Sequence, residues 1–282
     1  MAIEPPLDLL SFHAYLMRND RFGGHVIRPY SPLSPASLVS YLRVVGWTVD
    51  FYDPTLQSES TAFEIALSRV RPRVAALFGH PSTREEAWRL VAVCRRFGCL
   101  VVAFGDDPTA VPDLYLDHGV DVVVRGEAEL AVHRLMEHLK DRQFRFDPAQ
   151  LDGVPWLTYR LADETVSTPD GEERLDLETA PPPLRDEVHT RAYLQRRKQV
   201  HGVADLALVT SRGIPGTEAH RRRIPEGVAA EIAELRRRFD LDGVRFIDHV
   251  FTHDQRWHER FAEALERVGG PMPYECFGRV QD

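Results

Sequence analysis

Short continuous apolar runs alternate along this chain with segments whose apolar residues recur at helical spacing, the pattern of buried strands separated by amphipathic helices. Leu7 to Leu16 reads as a first strand, followed by a polar, glycine-containing stretch through Gly23-Gly24. Tyr30 to Pro35 leads into a helix, Ala36 to Val45, that stops at Gly46. The alternation continues with a strand at Trp47 to Tyr52, a helix at Phe63 to Val70, a strand at Val74 to Phe78 and a helix at Glu85 to Phe97. A strand at Leu100 to Phe104, a short helix near Asp113 to His118, a strand at Val120 to Val124 and a helix at Ala128 to Leu139 complete it. Parallel strands need a crossover between them, so this order predicts a parallel sheet with helices on both faces, a Rossmann-like α/β fold.

The pattern changes after Lys140. Leu151 to Arg160 and Glu164 to Ser167 read as two short strands around a turn at Ala162-Asp163, Pro181-Pro182-Pro183-Leu184-Arg185 as an extended connector, and Arg191 to Gln199 as a short polar helix. Strand and helix then alternate again. Strands at Asp205 to Thr210, Gly243 to Asp248 and Tyr274 to Val280 enclose helices from Pro225 and from about Asp254 to Val268. The expected organisation is a first domain over 1–140, a hairpin and linker over 141–200, and a second α/β unit over 201–282.

With 282 residues, 43% of them hydrophobic and 28% charged, the chain is long enough for one large or two ordinary cores. A formal charge of −8 disfavours a general nucleic-acid binder. No run approaches membrane-spanning length and the start lacks the layout of a signal peptide, which makes the cytoplasm the expected compartment. Cys94, Cys99 and Cys276 are too few and scattered for a disulfide framework or a paired zinc site and are expected to be ordinary core thiols.

In a parallel sheet, ligands collect at the carboxyl ends of the strands. Three loops there are small and polar: Gly79-His80-Pro81-Ser82-Thr83, Gly105-Asp106-Asp107-Pro108-Thr109 and Arg125-Gly126-Glu127-Ala128-Glu129. Small residues admit a flat ligand to the backbone, and Ser82 and Thr83 carry hydroxyls that suit a buried base or phosphate. The same glycines also suit the tight turns that such a fold requires. Together with Leu42-Arg43-Val44-Val45-Gly46-Trp47-Thr48-Val49, these loops resemble the N-terminal cobalamin-binding domain of cobalamin-dependent radical S-adenosylmethionine enzymes. That family writes Leu-Arg-x-x-Gly-x-x-Val, a Gly-Gly after its fourth strand, and Val-Arg-Gly-Glu-Gly-Glu before its last helix.

A second module follows in the family's order. Thr210-Ser211-Arg212-Gly213-Ile214-Pro215, and later Arg221-Arg222-Arg223-Ile224-Pro225-Glu226, resemble the start of the family's barrel, where Thr-Ser-Arg-Gly-Cys-Pro leads into the cluster motif and then Arg-x-Arg-Ser-Pro-Glu. The three ligand positions fall on Ile214, Glu218 and Arg221. A cluster of that type is held by thiolates, so a 4Fe-4S cluster is expected to be absent. S-adenosylmethionine then loses its anchor, although Asp248 to Thr252 and Arg279 fall where the family has residues of that region. The resemblance implies a Rossmann-like cobalamin domain followed by a partial radical-SAM-like (β/α) barrel of three strands.

On this reading cobalamin is the expected cofactor, held near Ser82, Thr83, Gly105, Asp106, Gly126 and Glu127. His13 alone matches the histidine motif of methionine-synthase-type cobalamin modules, and a lone histidine beside an apolar strand reads first as a hydrogen-bonded core residue. Glu218, His220, His249, His253 and Asp254 fall on loops of one face, but no pair has helix-fixed ligand spacing, and no metal site is expected. Halving a barrel leaves the strand at Tyr274 to Val280 as an edge and is expected to expose Val244, Phe246 and Phe277, which favours a homodimer or a partner protein there. Three functions remain open: a cobalamin-binding protein that has lost cluster chemistry, a cobalamin- and S-adenosylmethionine-dependent methyltransferase without a cluster, and a non-catalytic α/β scaffold that binds another protein.

Overall fold

A computed structural model describes residues 6–17, 32–57 and 61–279. Gly23-Gly24, Tyr30-Ser31 and Val280 lie outside the described residues. Two compact units divide the chain, the first ending at Leu175 and the second made chiefly of the chain from Asp176.

The first unit follows the alternation of apolar runs. Its elements are β1 (Leu9–His13), α1 (Leu33–Val44), β2 (Val49–Tyr52), α2 (Ala62–Val70), β3 (Val74–Phe78), α3 (Arg84–Arg96), β4 (Leu100–Phe104), α4 (Asp106–Ala110), α5 (Pro112–Asp117), β5 (Val122–Val124), α6 (Ala128–Asp141), β6 (Leu157–Leu161) and β7 (Glu164–Ser167). The strands form one seven-stranded sheet in the order β2-β1-β3-β4-β5-β6-β7. The pairs from β2 to β5 are parallel and the last two antiparallel. Register brings the carboxyl ends level, with His13 beside Phe78, Phe78 beside Phe104, and Phe104 beside Val124.

Residues alternate between the two faces of a strand, and here both faces are covered. On one, Leu10, Phe12, Leu77, Val101, Ala103 and Val123 pack with Leu67, Leu90, Val91, Cys94 and Tyr115. The apolar stripes of α1 and α6, including Leu38, Leu42, Leu135 and Leu139, are fully buried as well. Helix α3 complements its own dipole, with Glu85 and Glu86 in its first turn and Arg95 and Arg96 in its last.

The hairpin β6–β7, expected within the connector, instead extends this sheet through antiparallel pairing with β5. One side chain explains much of its position. The Arg125 guanidinium, at the end of β5, donates to the carbonyls of Leu157 and Thr168, to Thr158 Oγ1 and to Asp170. Four acceptors, two on β6 and two in the segment that follows β7, thus converge on one cation.

The second unit contains α7 (Glu187–His201), β8 (Asp205–Leu208), the two-residue strands β9 (Ser211–Arg212) and β10 (Arg221–Arg222), α8 (Pro225–Arg238), β11 (Gly243–Phe246), α9 (Gln255–Arg267) and β12 (Tyr274–Cys276). Three parallel strands lie in the order β12-β11-β8, and β9 and β10 form a separate antiparallel pair. Val244 and Phe246 are buried against Val228, Ile232, Trp257 and Phe261, so the expectation that they are exposed is corrected: they face the helices. The opposite face carries Ala207 and Arg245, while Phe277 is exposed. Helix α7 starts at Asp186, whose carboxylate accepts from the His189 N–H, and ends at Gly202 with φ +74°. Among the described residues no helix is long and apolar enough to cross a membrane.

An outer edge can be closed by side chains as well as by a neighbouring strand. The Ala204 and Leu208 carbonyls of β8 accept from Asp242 and Ile247, on the β11 side, so Ala207 between them points its carbonyl outward. Arg185, 7% exposed, donates to that carbonyl through Nη2. Burial is the main cause that brings Arg185 down to about 10, against the pull of Glu231.

Helix α7 is tied to β8 by an ion pair between Arg197 and Asp205, both buried. Removing one partner of a buried pair costs about 3–5 kcal/mol, whereas replacing both with apolar residues is often neutral. Asp205→Ala is therefore expected to lower the urea midpoint of the full chain markedly, and an Arg197→Met/Asp205→Leu double variant to recover most of the loss.

Candidate functional site

Strand order in the first unit reverses between β1 and β3, because the chain leaves β1 toward β2 on one side and returns to β3 on the other. Such a reversal opens a crevice at the carboxyl ends. Its floor on the β1 side is a closed pair: His13 Nε2 lies 2.9 Å from Asp53 Oδ1, and His13 Nδ1 accepts from the Tyr15 N–H at 3.1 Å. Nδ1 is thus an acceptor, so Nε2 carries the proton and donates it. Burial pushes the Asp53 carboxyl up, but the hydrogen bonds from His13 and the Thr55 N–H outweigh it and bring Asp53 to about 2. His13 is the hydrogen-bonded core residue that its position by an apolar strand suggested.

After β3 the chain makes a single 3-10 turn, Pro81–Thr83, capped by His80. Pro81 suits the first position of such a turn, having no N–H to leave unsatisfied. His80 Nδ1 lies 2.8 Å from Ser82 Oγ and 3.3 Å from the Ser82 nitrogen, while Thr83 Oγ1 donates to the His80 carbonyl. Both His80 and Ser82 are exposed, and Thr83 is half-buried.

The loop after β4 is held against this one. Gly79 donates its N–H to the Phe104 carbonyl, and a Cβ there would meet Pro108 and the Tyr115 hydroxyl at 2.5 Å. Below, Arg84 binds Asp107 through Nε at 2.9 Å and Nη2 at 2.5 Å, and the Tyr115 hydroxyl donates to the same carboxylate at 2.5 Å. Hydrogen bonding to Arg84 holds Asp107 below its ordinary range, while burial, aided by Asp107, lifts Tyr115 out of the titrating range. Asp106 is exposed beside it. Gly105 has φ +109°, and a Cβ on it would sit 2.9 Å from the Phe78 ring. That glycine is required by the sheet itself.

In the loop after β5, Arg125 is committed to the hairpin, and the Glu127 carboxylate accepts from the Leu175 N–H at 2.9 Å. Gly126 between them is exposed, at φ +69°, with only Trp156 near a notional Cβ, at 3.7 Å. The three loops thus follow adjacent strands along one edge. Of the six expected residues, Ser82, Asp106 and Gly126 are exposed there, whereas Thr83, Gly105 and Glu127 are half-buried and partly or wholly engaged with the protein. Sequence reasoning passed over His80 and the Arg84–Asp107–Tyr115 lock. Only the His-Pro-Ser wording of a capped turn pointed to the former, and nothing local pointed to the latter.

In the second unit the carboxyl ends of β8 and β11 are joined by Asp248, which accepts from the Thr210 N–H, Thr210 Oγ1 and Ser211 Oγ. Of the three positions where cluster ligands would fall, Ile214 and Glu218 are exposed and Arg221 is half-buried in the β9–β10 pair. None offers a thiolate. Cys94 and Cys99 are buried in the first unit, their thiols pushed up chiefly by burial, and half-buried Cys276 is raised likewise. His220 and His253 meet edge to face at 4.6 Å, and Arg222 stacks 3.7 Å over Trp257 while donating to the Phe251 carbonyl. Among the described residues no group of three or more His, Cys, Asp or Glu side chains is placed to hold a metal ion. The shallow depression by His253, Asp254 and Glu259 therefore gathers no ligand set.

Two expectations separate structure from ligand at this edge. Gly105→Ala is expected to lower the melting temperature more than Gly126→Ala, which carries only the left-handed strain of about 1–2 kcal/mol. Asp53 makes stability acid-sensitive. Its contribution, about 2 kcal/mol, is complete above the ordinary value of 3.8 and is lost as pH falls toward about 2. Asp53→Asn should flatten that part of a plot of urea midpoint against pH.

No family model matches the chain, and no curated protein matches it by sequence. Its fold does match solved structures. The cobalamin-dependent S-adenosylmethionine radical enzyme OxsB, with aqua-cobalamin and S-adenosylmethionine bound, superposes with a TM-score of 0.76 at 15% identity, over 95% of this chain and 38% of that one. The apo form of OxsB gives a TM-score of 0.73 at 15% identity, over 98% and 39% respectively. The chain therefore spans about two-fifths of the length of the enzyme it matches. At that identity the likeness is one of fold, and over nearly its whole length this chain carries the mixed α/β architecture of a cobalamin-dependent S-adenosylmethionine radical enzyme.

Proposed function

We propose that this protein binds cobalamin at the carboxyl edge of its first sheet and has lost the iron–sulfur chemistry of the enzymes it resembles. The observation that supports the reading most is the fold likeness over 95% of the chain to an enzyme whose solved structure holds aqua-cobalamin. The residues of the edge suit the ligand: Gly126 presents bare backbone with open space around it, and Ser82 and Asp106 offer exposed polar groups on the neighbouring loops. Bound cobalamin supplies organometallic and one-electron chemistry at cobalt. The protein's own part is to hold the macrocycle against the loops after β3, β4 and β5 and to limit solvent there. The cluster does not fit, because Ile214, Glu218 and Arg221 stand where thiolates are needed.

Titration of the intact chain with hydroxocobalamin, followed by visible absorption and equilibrium dialysis, is expected to saturate at one equivalent. Gly126→Trp should weaken binding by at least ~10-fold without loss of fold, since the indole would occupy ligand volume. Undiminished affinity in that variant would place the ligand elsewhere, and no binding by the parent chain would end the reading. Anaerobic reconstitution with iron and sulfide is expected to leave the protein without stoichiometric iron. A cluster bound in good yield would refute the second half of the proposal.

A further inference from the structure

The chain has four tryptophans, and three of them serve its packing. Trp47 Nε1 donates to His133 Nδ1, Trp257 Nε1 donates to the Arg223 carbonyl, and the Trp88 ring packs on Tyr115 and His118. Trp156 is different. It is half-buried and directly precedes β6, whose first residue pairs with Val124 at the end of β5, so it stands at the carboxyl edge of the first sheet. Its N–H donates to the Pro169 carbonyl and its carbonyl accepts from the Arg125 N–H. Held at both ends, it keeps φ +63°, a region that a bulky residue adopts only where its surroundings impose it.

The ring lies between two residues that have no side chain. A Cβ on Gly171 would come within 2.2 Å of Trp156 Cζ2 and 2.8 Å of Cε2, and one on Gly126 within 3.7 Å of Cδ1. Nε1 is bonded to both Cε2 and Cδ1, so the indole N–H sits between these two stretches of bare backbone, one of which, at Gly126, is exposed. Among the described residues no hydrogen bond reaches that N–H. Tryptophan usually finds a partner for this donor when its ring is buried.

We propose that Trp156 is the residue with which the edge reads the rim of its ligand, its Nε1–H donating to a peripheral amide carbonyl of cobalamin. The inference rests on the cobalamin reading above and adds a contact that no motif of the chain marked. The charged neighbours in the loop after β5 are already engaged, Arg125 with the hairpin and the Glu127 carboxylate with the Leu175 N–H. The benzo ring is packed against Gly171, which leaves the N–H edge of the indole on the Gly126 side. An N–H donor suits a carbonyl, and the corrin rim carries amides on flexible arms, whereas the nucleotide base of the cofactor would call for an open ring face. No bond is made or broken in this contact and no proton is transferred.

The test uses the full chain with heavy nitrogen in its tryptophan indoles and two diamagnetic cobalt(III) ligands. These are hydroxocobalamin and cobinamide, which keeps the amide rim and lacks the nucleotide tail. Equilibrium dialysis first establishes binding. Absence of hydroxocobalamin binding would overturn both this proposal and the reading it rests on. Nuclear magnetic resonance then follows the indole N–H signals, that of Trp156 being the one missing in Trp156→Phe. It is expected to move downfield with either ligand, while the signals of Trp47 and Trp257, already bonded inside the protein, stay in place. Trp156→Phe keeps a ring against Gly171 without the N–H and is expected to bind both ligands about 5-fold more weakly. Trp156→Gly, whose backbone accepts φ +63° without strain, is expected to lose at least as much affinity. A Trp156 signal that does not move, a shift with hydroxocobalamin alone, or full affinity in both variants would each overturn this proposal while leaving cobalamin binding in place.

Discussion

The carboxylate of Asp107 is the point on which the candidate edge depends. It lies at the start of α4, yet its partners come from α3 and α5, so one buried anion ties together three helices and two loops. Such a charge is tolerable in a nearly dry position only because a guanidinium meets both of its oxygens and a phenol meets one of them again. The bare backbone of Gly79 follows from the same packing, since Pro108 and Tyr115 occupy the space of a side chain. Loops after parallel strands are usually the free part of the fold, but here two of them are braced from below while their outer surfaces stay open.

This bracing shows why part of the structure was readable from the chain and part was not. The strands at Val74–Phe78 and Leu100–Phe104 were legible to the residue, because a buried parallel strand is a continuous apolar run and little else looks like one. The helix end at Gly46 announced itself through the left-handed backbone that glycine alone adopts cheaply, whereas α7 runs on past the expected Gln199 to Gly202. The lock was not legible, since Arg84 and Asp107 are distant in sequence and each reads as an ordinary polar loop residue. The pair β9–β10 was missed for a different reason: two residues have no periodicity to detect. Gly105 is an intermediate case, recognised as special from the sequence, with a packing reason in the Phe78 ring that the sequence did not show.

Motif reading had a related limit. Val124-Arg125-Gly126-Glu127 pointed to a loop at the carboxyl edge of the sheet, but its two charged residues face inward, to the hairpin and to Leu175, and only the glycine between them is open. A motif therefore marks a place without assigning its chemistry. In the second unit, the Thr-Ser of Thr210-Ser211 is kept by Asp248, whose four accepted hydrogen bonds hold the ends of β8 and β11 together without any thiolate nearby. That structural role gives Thr210 and Ser211 a reason to stand there that is independent of any cofactor.

Arg185 has a consequence for how the smaller sheet can associate. Its guanidinium occupies the outward carbonyl of Ala207, and an incoming strand on that flank would have to displace a buried cation before it could form a first hydrogen bond. Charged side chains at an edge are a recognised defence against strand addition. The opposite flank, β12, carries exposed Tyr274 and Glu275 and a half-buried Cys276. The two sides of the sheet are therefore guarded differently, β8 by a buried guanidinium already bonded to its backbone and β12 by the side chains of the strand itself.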